Sequence, residues 1–460
     1  MEEKKSNLLT EGNILKSIIF LAIPILLGNL LQSLYNLTDT FWVGRLGKEA
    51  VAAVSLSFPV IFLVMAFAGG IGLAGAILVA QYKGRGDYEN INQVSGQTFL
   101  MAFVSSIFLG AIGYFLTPYI VRLFGAEQEV IPGAVSYMGI SFIGVFFVFG
   151  YMIYQSLSRG VGDAKTPVYI VLGTVLLNFL LDPLFIFGYG FIPAYGVGGA
   201  ALATLGTQAI ALFSGLIILN KGKKGIHLKL HNFKPDYFLM KKIAKLGIPS
   251  SLEQSSRSIG FILMVGIVAS FGTTILASYG IGQNIIMLVI IPALSLSIAN
   301  STLVGQNIGA GKPERAEKIA RTSTLVGFVF LTFIGILLFI FAKNIISIFV
   351  PGEAEVIMYG TQFLRVVALS FGFVGVNMSA FGTLRGAGNT SITMKIAWLS
   401  MGVQVGLAYF LSKFTPLAQY GLWLGFPISS MVGALISFTI MMQGKWKESK
   451  IIENKYDSVS

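Results

Sequence analysis

The sequence predicts an all-α membrane protein of twelve transmembrane helices, built as two six-helix bundles related by a pseudo-two-fold axis along the membrane normal. Three observations predict it. Hydrophobic residues make up 55% of the 460 residues and charged residues only 11%, with a mean hydropathy of +0.78, whereas soluble domains carry roughly 25% charge. The chain also repeats itself: Val79, Gln81, Gly84 and Gly86 return 225 positions later as Val304, Gln306, Gly309 and Gly311, Ile23-Pro24 as Ile248-Pro249, and Tyr195-Gly196 as Tyr420-Gly421. The run RGVGD, Arg159 to Asp163, returns as RGAGN, Arg385 to Asn389, at an offset of 226. Ordered matches at one spacing mark a tandem duplication. Finally, each copy holds an even number of spans, so both enter the membrane in the same sense.

Stretches of about 20 apolar residues, enough to cross a ~30 Å hydrocarbon core, fall in the first copy near 17–40, 51–80, 94–116, 134–157, 167–188 and 197–219. The second copy supplies 245–270, 278–305, 322–342, 358–382, 392–412 and 421–443. The domain reading is an N-terminal lobe at 1–219, a Lys-rich cytoplasmic linker at 220–242, a C-terminal lobe at 243–443 and a cytoplasmic tail at 444–460. Of 32 Lys and Arg, 25 lie on the side of the N-terminus. Only Arg45, Lys48, Arg122, Lys343 and Lys413 lie opposite, and Arg257 and Arg365 lie inside spans. The positive-inside rule therefore places both termini in the cytoplasm of a multi-pass plasma-membrane protein. The opening MEEKKSNLLTEGNILK lacks a small-residue cleavage pattern, so no removable signal peptide is expected.

The net charge of +12 is explained by loops facing anionic headgroups, so the expected partner is the bilayer and not nucleic acid. The chain has no cysteine, which excludes disulfides and thiolate chemistry. GAGKPER, Gly309 to Arg315, lacks the spacing and the Lys-Ser/Thr ending of a P-loop. ATP is not the expected energy source. His227 and His231 stand four apart in the linker but lack Cys or carboxylate companions, and are read as solvated loop residues. No nucleophile, metal set or acid/base group marks an enzyme.

Ionisable groups inside a membrane cost ~2.5 kcal/mol or more and are functional candidates by default. The spans hold Asp39, Asp182, Glu253, Arg257 and Arg365. Asp39 lies about 22 residues beyond Lys16, roughly 33 Å of helix, and Asp182 about 16 residues into its span, roughly 24 Å. Both reach the outer half. Asn178 shares a helix face with Asp182, and Ala200 and Thr204 lie one and two turns into the sixth span from the same side. Carboxylates, an amide, a hydroxyl and a backbone carbonyl make a hard oxygen set that suits H⁺ or Na⁺, with Na⁺ ligands expected at Asp39, Asn178, Asp182 and Thr204. Pro183 removes one helical hydrogen bond beside this set. The second copy has Met264 where the first has Asp39 and Ala408 where it has Asp182, though Ser429 stands for Thr204. The acids are thus an addition to the fold and not a requirement of it.

Glu253 and Arg257, four apart, are expected to form an intrahelical ion pair, and Arg365 to snorkel outward. AGGIGLAG, Ala68 to Gly75, is read as a helix-packing surface. The 37 Phe and 15 Met would suit a cavity for aromatic cations, although most such side chains face lipid.

YNLTDTFWVG from Tyr35, NFLLDP from Asn178 and GVGGAALAT from Gly196 resemble the MATE family of multidrug and toxic compound extrusion transporters, most closely its DinF-related and archaeal branch. The resemblance spans all twelve helices and implies a coupling site at Asp39, Asn178, Asp182, Ala200 and Thr204. It also implies a monomeric exporter of cationic amphipathic compounds, driven by inward H⁺ or Na⁺, with Tyr35, Tyr137, Met152 and Gln155 as candidate cavity residues. Relatives of the norfloxacin-resistance type place acids in the C-terminal lobe, but Met264 and Ala408 leave Glu253 without an acidic companion there. Duplicated lobes suit alternating access, with a site at the repeat interface. Competing readings are a lipid-linked oligosaccharide flippase, which would line its cavity with several cations, a membrane-embedded enzyme, and a channel.

Overall fold

The computed structural model describes residues 8–190, 192–449 and 451–452. The extreme residues 1–7 and 453–460, counted above with the N-terminal segment and the tail, lie outside the described residues. Among the described residues, thirteen long α-helices follow one another from Ile14 onward. The first six are α1 (Ile14–Gly44), α2 (Lys48–Arg85), α3 (Tyr88–Leu123), α4 (Ile131–Gly160), α5 (Lys165–Phe187) and α6 (Val197–Asn220). After a short 3₁₀ turn at Leu230–Phe233 come α7 (Tyr237–Ala269), α8 (Thr273–Gly309), α9 (Pro313–Phe349), α10 (Ala354–Ala368), α11 (Phe371–Gly386), α12 (Thr390–Phe414) and α13 (Gln419–Met442).

Ten of these are long and apolar enough to cross a membrane alone, and α10 with α11 forms one further span bent by 50°. The sequence predicts a single rod at that place. At the bend the Ser370 hydroxyl donates to the Val367 carbonyl at 2.7 Å, taking an acceptor that would otherwise serve the helix. The remaining helix, α7, has the length at 33 residues, but Glu253, Gln254 and Arg257 in its middle lower its apolarity.

The repeated glycine motifs are helix stops. Gly86 ends α2 with φ +78, and its amide and that of Asp87 return to the carbonyls of Lys83 and Tyr82. Gly311 does the same after α8 with φ +69, through Ile308 and Asn307. In RGVGD and RGAGN, Gly162 (φ +91) and Gly388 (φ +84) play this part after α4 and α11. A left-handed residue at this position is what lets the last carbonyls be satisfied, and glycine adopts it without penalty.

The helices cluster into two compact units, one of residues 23–251 and one of 8–22 with 252 onward. In the first unit α2, α3 and α4 pack around Ala68, Val121, Met138, Phe142, Val145 and Phe149. The AGGIGLAG run is a packing surface: a side chain at Gly70 would strike Gly247 and Ser251, at Gly72 Ser156, and at Gly75 Thr98. The segment after α6 is bound to α3. The Gln97 amide donates to the carbonyls of Asn232 at 2.8 Å and Lys234 at 2.7 Å, and accepts from the Asp236 amide at 3.0 Å. His227 and His231 are exposed there.

In the second unit the core gathers Met264, Tyr279, Phe363, Phe371, Ala408 and Trp423. Residues 8–17 clasp α8 and α9: Asn307 donates to the Leu9 carbonyl at 3.1 Å and Arg315 to the Gly12 carbonyl at 2.6 Å. Lys312 pairs with Glu11 at 3.1 Å.

Candidate functional site

The site is assembled in the first unit from α1, α5 and α6. The turn between α5 and α6 sets the register: the amides of Tyr195 and Gly196 return to the carbonyls of Phe185 and Ile186 at 3.0 and 3.1 Å. Gly199 lies flat on the Phe185 carbonyl, where a Cβ would not fit. This close approach brings Ala200 and Thr204 of α6 beside Asp182 of α5.

Asp182 and Asn178 are fully buried, and the Asn178 amide donates to Asp182 Oδ1 at 3.1 Å. Asp39, half-buried on α1, accepts from the Thr204 hydroxyl at 3.3 Å, and its carboxylate is near enough to that of Asp182 for each to feel the other's charge. Two carboxylates, one amide and one hydroxyl therefore converge, as the sequence predicts. Ala200 is buried without a polar side chain; its small size leaves room for the acids. Three oxygens remain without hydrogen-bond partners: Asp39 Oδ1, Asn178 Oδ1 and Asp182 Oδ2. Buried acceptors of that kind are costly unless something donates to them or coordinates them.

Pro183 lies within α5, next to Asp182, so the carbonyl one turn back, that of Phe179, lacks an amide donor from the helix. Tyr35 extends the set: its hydroxyl and that of Thr207 are 2.6 Å apart. Thr207 was not among the sequence candidates, although its place three residues after Thr204 puts it on the same helix face. Tyr137 packs with Trp42, Ile186 and Ala200 at the edge of the site. Met152 instead packs into the α2–α4 core with Val145 and Phe149, and Gln155 accepts from Arg159 at 3.1 Å. Those two are not brought to the acids.

The equivalent place in the second unit is closed. Met264 and Ala408 are buried against Trp423, whose ring lies 4.7 Å from Phe363 and 6.2 Å from Tyr279, nearly parallel to the latter. Trp423 stands 225 residues after Gly198, which packs tightly on Ser136, so the second unit carries an indole where the first has no side chain.

One expectation is corrected. Glu253 does not pair with Arg257; its carboxylate is bound by Arg385, through Nε and Nη2, and by the Thr393 hydroxyl at 2.7 Å. Arg385 was counted as a loop residue, yet it ends α11 as a buried side chain. Arg365 is exposed and donates to the Phe339 carbonyl at 3.2 Å.

A family model matches the chain twice. The MatE model covers residues 24–184 and again 249–410, copies that begin 225 and end 226 residues apart, the two offsets of the internal repeat. The chain belongs to the MatE family. Among MatE relatives, the probable multidrug resistance protein YpnP of Bacillus subtilis strain 168 is 31% identical over 97% of this chain and 99% of its own length. The probable multidrug resistance protein YoeA of the same organism is 32% identical over 98% and 99%. A solved structure described as the outward-facing conformation of a multidrug resistance MATE family transporter superposes with a TM-score of 0.89 at 27% identity, covering 98% of this chain and 99% of its own. This MatE chain is a multi-pass, all-helical membrane protein.

Proposed function

We propose that this MatE-family chain is a multidrug exporter that moves cationic amphipathic compounds outward in exchange for inward H⁺ or Na⁺. The coupling ion is held by Asp39, Asn178, Asp182 and Thr204, with Ala200 giving it room. The protein acts as a monomer in the plasma membrane, with both termini cytoplasmic. The observation that carries this reading is the pair Asp39 and Asp182 with three unpartnered oxygens around it. Two neighbouring buried carboxylates repel one another unless a proton or a cation is shared between them. Either occupant would satisfy the orphaned oxygens and change how tightly α1 is held to α5 and α6, which is the differential contact an alternating-access cycle needs. The names of the full-length relatives support drug export.

The test is drug uptake into everted vesicles under an imposed proton gradient, a sodium gradient, or neither. The wild type should accumulate a cationic dye under one of the two gradients, and Asp39→Asn and Asp182→Asn should not. An Asp39→Asn variant that transports as fast as the wild type under both gradients would sink the assignment.

A further inference from the structure

A buried charge cluster in the second unit takes no part in the site above. Glu253 on α7 is held by Arg385 at the end of α11 and by Thr393 on α12. Arg257, one turn further along α7, is left with the thioether of Met378 at 3.7 Å. Its charged neighbour along α7 is Glu253, four residues back, which Arg385 already holds. Two guanidiniums thus stand near one carboxylate that only Arg385 binds, and an arginine does not shed its proton to balance the count. Arg257 is twelve residues beyond Lys245, about 18 Å along the helix, near the middle of a ~30 Å core. It is too deep to snorkel out. Glu253 and Arg385 are buried, whereas Arg257 is exposed.

An unbalanced cation at that depth calls for an anion from elsewhere. Among the described residues no carboxylate lies within ion-pair distance of Arg257. We infer that Arg257 recognises an acidic group, a carboxylate or phosphate, carried by the transported amphipath. The preferred substrates are then zwitterionic, with an apolar cationic body and an acid, and not simple cations. The planar guanidinium fork matches either oxyanion with two parallel hydrogen bonds, and Met378 offers an adaptable apolar surface beside it. This rests on the export reading and narrows its substrate class.

Rhodamine B and its ethyl ester share the same cationic ring system and differ in one free carboxylate. Their binding to the purified protein in phosphatidylcholine nanodiscs, read by fluorescence anisotropy, tests the inference without relying on a variant. The wild type should bind the acid about 10-fold more tightly than the ester, the worth of one charge-assisted contact. Arg257→Gln should remove that preference and leave the ester within about two-fold of wild type, with Arg257→Lys in between. Equal binding of acid and ester by the wild type overturns the inference alone. A variant that loses both dyes alike also overturns it, since that is a structural defect. A preference that arises only when phosphatidylglycerol is added assigns Arg257 to lipid headgroups and overturns it too. A wild type that binds neither dye overturns the export reading and this inference together.

Discussion

Glu253 on α7 is bound by Arg385, 132 residues further along the chain, and the Thr393 hydroxyl closes the remaining side of its carboxylate. A fully paired buried acid of this kind adds little net stability, but removing one partner strands a charge, which costs about 3–5 kcal/mol. Glu253→Gln is therefore expected to lower stability by that amount. The double variant Glu253→Gln, Arg385→Gln should recover much of the loss, because it removes the stranded charge as well. Thermal unfolding in detergent micelles of the two single variants and the double reads this directly; strictly additive losses would show that the pair is not coupled.

At the acid site the hydroxyl of Thr204 is the donor that crosses from α6 to Asp39 on α1, at 3.3 Å. Thr204→Val keeps the shape and removes the donor, leaving a second Asp39 oxygen without a partner. A hydrogen bond to a charged group is worth roughly 1.5–3 kcal/mol, so ion-driven uptake should fall about 10-fold or more, while Thr204→Ser should stay near wild type. Initial rates in everted vesicles distinguish the two. Equal rates for all three proteins would remove Thr204 from the coupling set.

The repeat, read as a control, made the acid site legible before any coordinates. Asp39, Asn178, Asp182 and Thr204 share a depth on three helices, and helix rise alone carries that information. Arg385 was hidden for the opposite reason. It sits at the end of a helix in a motif that looks like a loop, and only the bend between α10 and α11 and the packing of α7 bring it to Glu253. Helical spacing named Arg257 as the partner, because local periodicity sees neighbours on one helix and not those on the next. Trp423 was likewise silent, since one more apolar residue in an apolar span carries no pattern.

Gly86 and Gly311 hold φ of +78 and +69 with no side chain crowding either position, so the cost of a Cβ there is one of backbone conformation. Gly86→Ala and Gly311→Ala should each destabilise by about 1 kcal/mol. Being in separate units, they should add. The double variant, followed by thermal unfolding, should lose the sum of the two single losses.

Trp423 packs in the second unit with Met264 and Ala408, which stand where the first unit has its acids, and this makes stability and coupling separable. Its indole is fully buried, against Met264, Ala408, Phe363 and Tyr279. Removing it leaves a cavity whose lining loses its contacts, and within lipid it is those contacts that hold helices together. Trp423→Ala should therefore cost about 3–5 kcal/mol. None of Met264, Ala408, Phe363 and Tyr279 carries a charge at neutral pH, so the ratio of dye uptake with and without the driving gradient should be unchanged in protein that remains folded. Thermal unfolding alongside gradient-dependent uptake measures both. A variant that keeps its stability but loses gradient dependence would place part of the coupling machinery in the second unit, against the asymmetry argued for Asp39 and Asp182.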